Sequence, residues 1–262
     1  MKKYNLQDLI DIMATLRGEH GCPWDKAQTQ ESLKAYILEE AYEVIDAIDR
    51  GNTSDLKEEL GDLLFQIVFL CRLGEEQGMF NMEDVISTVC EKMIRRHPHI
   101  FGDTKAETVT QVLKNWEDIK REEKHVDSQT QSMLELPQSL PALIKALKVQ
   151  EKAARVGFDW DKVDDALDKV YEEIDELKEV YKGSNGEKIN EEIGDLLFAV
   201  VNVARFLEVN PELALRNATD KFIRRFNYVE QAAANSDKNL QEMTLTEMDE
   251  LWEEGKKREK KS

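Results

Sequence analysis

One acidic pattern occurs twice in this chain. Leu38-Glu39-Glu40-Ala41-Tyr42-Glu43 is followed by Glu58-Glu59-Leu60-Gly61-Asp62, and Tyr171-Glu172-Glu173-Ile174-Asp175-Glu176 by Glu191-Glu192-Ile193-Gly194-Asp195. Both copies read E-E-x-x-E, then E-E-x-G-D, with the same spacing between the halves. Each lies among apolar residues at helical spacing, and residues three apart share a helix face. Glu40 and Glu43 therefore point one way, as do Glu59 and Asp62; in the second copy the same holds for Glu173 with Glu176 and Glu192 with Asp195. Gly51-Asn52 interrupts the first pattern and Gly183-Ser184-Asn185-Gly186 the second, and such residues end helices and make tight connections. An antiparallel helix pair turning at Gly51 sets Glu40 level with Asp62 and Glu43 level with Glu59. A turn centred on Ser184 sets Glu173 level with Asp195 and Glu176 level with Glu192. Four facing carboxylates repel one another strongly unless cations lie among them, so the chemistry these residues suit is metal binding.

A single E-x-x-E means little in a chain with 54 acidic residues among 262; a solvated face with i,i+4 ion pairs is its ordinary reading. Three features favour the metal. The quartet closes across the turn, it recurs with unchanged spacing, and apolar neighbours place Asp62 and Asp195 at the edge of a buried stripe. The four histidines, His20, His97, His99 and His125, all fall outside the quartets, unlike the E-x-x-H pairs of di-iron bundles. All-oxygen ligation suits Mg²⁺, or else Mn²⁺, and Mg²⁺ held this way also takes substrate phosphates.

Basic residues offer the matching contacts. Lys221, Arg224 and Arg225 share one side of a helix, as do Lys92, Arg95 and Arg96. They are open to two readings, pairing with surplus glutamates or clamping phosphate oxygens, for which the guanidinium fork is suited. Trp252 and Lys256 lie four apart, like Trp116 and Lys120; a helical Trp is ordinarily core, yet beside a Lys it could stack a base over a phosphate contact. Pro23-Trp24-Asp25 reads as a cap over the bundle that could border the pocket.

Low Pro and Gly with abundant Leu, Glu, Lys and Ala imply an all-α protein, and 41% hydrophobic residues suffice for a core. A net charge of -18 argues against nonspecific nucleic-acid binding. Cys22, Cys71 and Cys90 form no C-x-x-C pattern; Cys71 and Cys90 are expected in the core, and the odd count fits a reducing cytoplasm. Neither an export signal nor a membrane span is expected. No Walker loop, G-x-S-x-G, dinucleotide fingerprint or H-E-x-x-H is present, which disfavours P-loop, serine-hydrolase and zincin chemistry.

The elements that must position these groups are read from apolar periodicity. Helices are expected at 5–18, 29–50, 53–77, 81–97 and 107–124, with loops at Gly18–Asp25 and His97–Asp103. Residues 125–141 are polar, lack a period and carry Pro137 and Pro141, and read as a linker. Helices then restart at 142–156, 162–182, 187–208, 211–234 and 244–260. Gly61–Phe65 matches Gly194–Phe198, Arg72 matches Arg205, Lys92–Arg96 matches Lys221–Arg225, and Trp116-Glu117 matches Trp252-Glu253. The chain is thus two copies of a five-helix unit, residues 1–124 and 142–262.

The doubled E-E-x-x-E … E-x-x-D signature, with H-G-C-P-W-D near the start and V-G-F-D-W in the second half, resembles the MazG family of all-α nucleoside triphosphate pyrophosphohydrolases over essentially the whole chain. The resemblance implies two tandem helical bundles completed by dimerisation, and Mg²⁺-dependent hydrolysis of an NTP or dNTP to monophosphate and pyrophosphate. It implies Glu173, Glu176, Glu192 and Asp195 as metal ligands of the second domain, the main catalyst, and Glu40, Glu43, Glu59 and Asp62 as those of the first. Lys221, Arg224, Arg225, Trp252 and Lys256 fall where the family holds the nucleotide, with Lys169, Glu172 and Glu191 bordering it; Glu172 or Glu191 is the candidate proton acceptor. The expectation is a cytoplasmic homodimer of broad base tolerance that clears noncanonical or excess nucleotides. A narrow dUTPase-like enzyme and a nucleotide-binding interaction protein without turnover are the alternatives.

Overall fold

A computed structural model describes residues 2–124, 128–236 and 238–259. Its described residues are helical, with no strand, as the composition requires. They fall into two compact units that divide after Lys124.

In the first unit, α1 (Leu6–Arg17), α3 (Gln30–Arg50), α4 (Thr53–Glu76), α5 (Met82–Arg96) and α7 (Val109–Lys124) are the five expected helices. Side chains fix several of their starts. Asn5, Thr29 and Asn81 each accept from the backbone N–H three residues on, closing capping boxes at α1, α3 and α5. Gly51 ends α3 at φ +65°, a left-handed turn that favours glycine, and Asn52 caps α4 at once. The result is the antiparallel α3–α4 pair. Met13 of α1, Leu33 of α3, Val68 and Phe69 of α4 and Met82 of α5 meet in the core.

Two short helices replace parts of expected loops. α2 (Pro23–Ala27) begins on Pro23 and α6 (Pro98–Phe101) on Pro98; proline is compatible with a first helical position, where its missing N–H is not needed. A third, α8 (Gln129–Leu134), lies where the sequence reads as linker. Ser128 caps it, Gln129 Nε2 donates to the Lys152 carbonyl, Lys152 Nζ to Ser132 Oγ, and it belongs to the second unit. His125–Asp127 of that linker lie outside the described residues.

The second unit repeats the plan with α9 (Ala142–Ala154), α10 (Val163–Val180), α11 (Gly186–Phe206), α12 (Pro211–Asn235) and α13 (Leu245–Glu259). Asn185 caps α11, so the α10–α11 turn uses the expected residues.

The apolar stripes differ from expectation. Leu60, Leu64 and Ile67 on α4 and their counterparts Ile193, Leu197 and Val200 on α11 are all exposed within one chain. Hydrophobic spacing shows that a face is apolar, not which molecule covers it. Cys71 is buried as expected, but Cys90 is exposed, on a face of α5 that also exposes Ile86 and Ile94. No helix of the described residues is long and apolar enough to cross a membrane.

Phe69, 1% exposed, anchors the first core. Phe69→Ala should lower stability by about 3–5 kcal/mol, read as a fall in the urea midpoint of the transition that unfolds the first unit.

Candidate metal centre and active site

Each helix pair brings its acids together. One carboxylate oxygen from each of Glu40, Glu43 and Glu59 lies within 4.8 Å of the others, and the same holds for Glu173, Glu192 and Asp195. The fourth member of each quartet stands outside this closest set yet is felt electrostatically: Asp62 by Glu40 and Glu59, and Glu176 by Glu192. Asp195 is exposed, as are Ile193 and Leu197 beside it, while Glu192 and Ala199, three and four residues away on its own face of α11, are buried, so it stands at the edge of a buried stripe.

The clusters carry charge that is only partly compensated. Loss of solvent raises Glu192 above the ordinary carboxylate range, helped by Glu176, Glu191 and Asp195 and opposed by Lys188. Glu40 and Glu59 are raised too, first by desolvation and then by their neighbours. Glu173 is 4% exposed, and its buried Oε2 has no hydrogen-bond partner. Acceptor-only oxygens that converge, repel and include an orphan fit a hard divalent cation, held by Glu173, Glu192 and Asp195 with Glu176 beside them.

The surroundings of the two clusters differ. In the second unit Lys169 Nζ lies 2.6 Å from Glu173 and 2.8 Å from Glu172, and hydrogen bonds to Glu172 and Glu173 raise its pKa. The matching position on α3 is Tyr36, whose ring packs edge-on against Trp24 at 5.9 Å. In the first unit Gln66 Nε2 donates to Glu40 Oε1 at 3.3 Å; its counterpart on α11 is Ala199. The P-W-D segment acts as a cap, with Arg17 Nη1 donating to the Asp25 carbonyl.

A cavity of about 670 Å³ opens beside the second cluster, and Lys169, Glu173 and Asp195 line it. Gln150, Trp160, Asn202 and Arg205 stand on its wall as well. In the sequence Trp160 is marked only by the V-G-F-D-W motif and Arg205 only by its match to Arg72, while Gln150 and Asn202 carry no such mark. Their signal was a mismatch between the repeats at positions where the helical register is plain.

The basic residues do not share that cavity. Arg224 and Arg225 line a separate cavity of about 490 Å³ with Arg258 and Glu259, and both pair with Glu259, at 3.8 and 2.8 Å. Trp252 packs on Phe222 at 5.0 Å and under Arg225 at 5.8 Å. Lys256 pairs with Glu253, and Lys221 is exposed. Arg95 and Arg96 likewise pair with Glu123. Within one chain these groups and the carboxylates form two separate sites. Glu172 and Glu191 are exposed at the cluster's edge, with Glu172 bonded to Lys169.

A carboxylate whose value is raised on folding binds its proton more tightly in the folded than in the unfolded chain. Its contribution favours folding at low pH and is lost as pH climbs through the raised value. With chelator present, Glu192→Gln should therefore melt higher than wild type at pH 7. The gap should close as pH falls toward the ordinary carboxylate value of 4.5. Equal melting temperatures at pH 7 would show that the repulsion is absent.

The comparisons with known proteins agree with this architecture. The model of the MazG nucleotide pyrophosphohydrolase domain matches residues 28–101 and again 162–230, which contain α3–α4 and α10–α11. The nucleoside triphosphate pyrophosphohydrolase of Escherichia coli (strain K12) is 46% identical over 256 residues, 96% of this chain and 97% of that protein. The nucleoside triphosphate pyrophosphohydrolase/pyrophosphatase MazG of Thermotoga maritima is 46% identical over 250 residues, 95% of each. The Bacillus subtilis protein YabN is 48% identical over 252 residues, 96% of this chain but 51% of its own length. Two matches to the domain, each spanning one carboxylate-bearing helix pair, show that the chain belongs to the MazG nucleotide pyrophosphohydrolase family.

Proposed function

We propose that the chain hydrolyses nucleoside and deoxynucleoside triphosphates to the monophosphate and pyrophosphate, with Mg²⁺ or Mn²⁺, and that the second unit is the main catalyst. The observation that carries this reading is the Glu173–Glu192–Asp195 cluster, with its orphan Glu173 oxygen, of which Glu173 and Asp195 line a cavity large enough for a ligand. The names of the full-length E. coli and T. maritima relatives support the activity.

Glu173, Glu176, Glu192 and Asp195 would hold the cation, which when bound supplies Lewis acidity toward phosphate oxygens. The protein groups act around it. Lys169, already protonated between Glu172 and Glu173, donates to a phosphate oxygen when the triphosphate arrives. Glu191 is preferred of the two candidate proton acceptors, because Glu172 already accepts from the Lys169 ammonium. The proton leaves the attacking water as its oxygen bonds the α-phosphorus, and the α–β bridging oxygen departs with pyrophosphate. Lys221, Arg224 and Arg225 offset the charge of that leaving group.

In one chain Arg224 and Arg225 line a different cavity, so the part of this cluster in the reaction calls for a second copy. The exposed rows Leu60–Leu64–Ile67 and Ile193–Leu197–Val200, with Phe222, Ile223 and Phe226 on α12, support a homodimer in which partner helices complete each bundle. The strong negative charge supports small-molecule substrates over nucleic acid. Tolerance of several bases, a cytoplasmic location and a role in clearing unwanted nucleotides complete the proposal.

Product analysis tests it. Each NTP and dNTP is incubated with the protein and Mg²⁺ or chelator, and the products are resolved by ion exchange. Monophosphate and pyrophosphate should form only with metal. With the first quartet replaced by Gln, Glu176→Ala and Asp195→Ala should each lower turnover about a hundredfold or more while remaining folded. Unchanged turnover in both would remove the ligand assignment, and absence of any product would leave a binding protein.

A further inference from the structure

The cavity of the second unit stands where the first unit has its core. α1 and α9 correspond by their apolar pattern, with Leu6, Leu9, Ile10, Met13 and Leu16 matching Leu143, Ala146, Leu147, Gln150 and Ala153. α4 and α11 correspond through the G-D-L-L-F match, which carries Gln66 onto Ala199 and Phe69 onto Asn202. Met13 and Phe69 are 0% and 1% exposed, in the centre of the first core. Their counterparts Gln150 and Asn202 line the cavity, as do Ala153 and Ala199. Two large apolar side chains have become amides, while a leucine and a glutamine have become alanines. A core emptied in this way is destabilising by itself.

The amides are held in fixed orientations. Gln150 is 7% exposed, and its Nε2 donates to the Phe198 carbonyl at 2.8 Å. A carbonyl only accepts, so the oxygen Oε1 is the remaining group, and it is buried without a partner. Asn202 Oδ1 accepts from Arg205 Nε at 3.0 Å, and a guanidinium only donates, so its Nδ2 is the group left to donate. Arg205 is itself clamped by both oxygens of Asp159, in the loop that follows Gly157 at φ +83° and leads to Trp160. One acceptor and one donor are thus left over on two amides whose residues line the cavity, together with an indole and the carboxylates Glu173 and Asp195.

We infer that this cavity is the nucleobase subsite, with Gln150 and Asn202 as its specificity-determining residues; the inference rests on the proposed nucleotide hydrolysis. A base is a flat apolar body with a donor–acceptor edge, and Trp160 provides a stacking surface for it. Adenine and cytosine present an exocyclic amino donor beside a ring-nitrogen acceptor. Guanine and uracil present a carbonyl acceptor beside a ring N–H donor. A wall whose acceptor and donor cannot exchange places distinguishes the amino pair from the keto pair, and accepts purine and pyrimidine within each. Trp252 is less suited to the base, since Phe222 and Arg225 already pack on it.

The test uses the full chain with Mg²⁺. Binding of AMP, CMP, GMP and UMP is measured by calorimetry, and kcat/KM is measured for ATP, CTP, GTP and UTP. Wild type is compared with Gln150→Met and Asn202→Phe, each the residue of the first unit at that place. Gln150→Met keeps the length of the side chain and removes only the amide, so it tests the idea even if Asn202→Phe misfolds. The wild type should favour one pair over the other by about tenfold or more, as expected where buried polar groups would otherwise lie unpaired. Gln150→Met should reduce that ratio toward one, chiefly through the favoured pair, and Asn202→Phe should abolish monophosphate binding. A purely structural role would lower all four nucleotides alike and leave the ratio unmoved, which would overturn the inference. So would a wild type that treats both pairs equally. Should the wild type turn over no triphosphate yet show the pairwise preference in monophosphate binding, the hydrolase reading would fall and the subsite would stand.

Discussion

Like charge at close range is the constraint on which this structure turns. Packing two helices side by side is ordinary; doing so with carboxylate oxygens within 4.8 Å across the seam works against folding unless something offsets the repulsion. The local features of each pair hold the seam in place regardless. Gly51 reverses the chain, and Asn52 and Asn185 start the returning helices. The two copies then offset the charge differently. The first supplies a neutral donor, Gln66, to Glu40. The second supplies a cation, Lys169, to Glu173 and leaves one buried oxygen without a partner.

Duplication lets the same scaffold take two interiors. In the first unit Met13, Leu33, Val68 and Phe69 fill the space behind the acids. In the second that space is open, with a few polar groups on a largely apolar wall, and the chain of contacts from Asp159 through Arg205 to Asn202 holds the loop that borders it. The copy with the fuller core is not the one with the ligand-sized cavity at its acids, in keeping with the usual cost of carrying a site.

Much of this was legible in the sequence because helical periodicity and capping are local. The five long helices of each unit, the turn at Gly51 and the meeting of three acids from each quartet follow from spacing. The short helices α2, α6 and α8 were not legible. Each is too brief to show a period, and a proline that reads as a breaker began two of them. α8 was read as linker because its polar residues bond to the Lys152 carbonyl and side chain, contacts far away in the chain. The exposure of Leu60, Leu64 and Cys90 was hidden because an apolar face looks the same in sequence whether its own chain covers it or not. The cavity was hidden for a different reason. Gln150, Ala153 and Asn202 are unremarkable singly, and become informative only against Met13, Leu16 and Phe69. The basic residues illustrate the limit of composition, since Arg224 and Arg225 have the chemistry for phosphate but lie with Glu259 in a single chain.

The tight connection between α3 and α4 also bears on how the protein reaches its folded state. The two helices are neighbours in sequence, so their docking closes a short loop and belongs with the fastest, most local steps available to the chain. Docking of this pair ahead of the rest would bring the acids together before distant helices have buried apolar surface to hold them. Ionic strength should then act on the rate of folding as well as on its endpoint, because mobile counterions soften the repulsion in the half-formed hairpin. A divalent ion that seats between the helices at that stage would serve as a folding template, and the order in which ion and chain come together would be written into the kinetics.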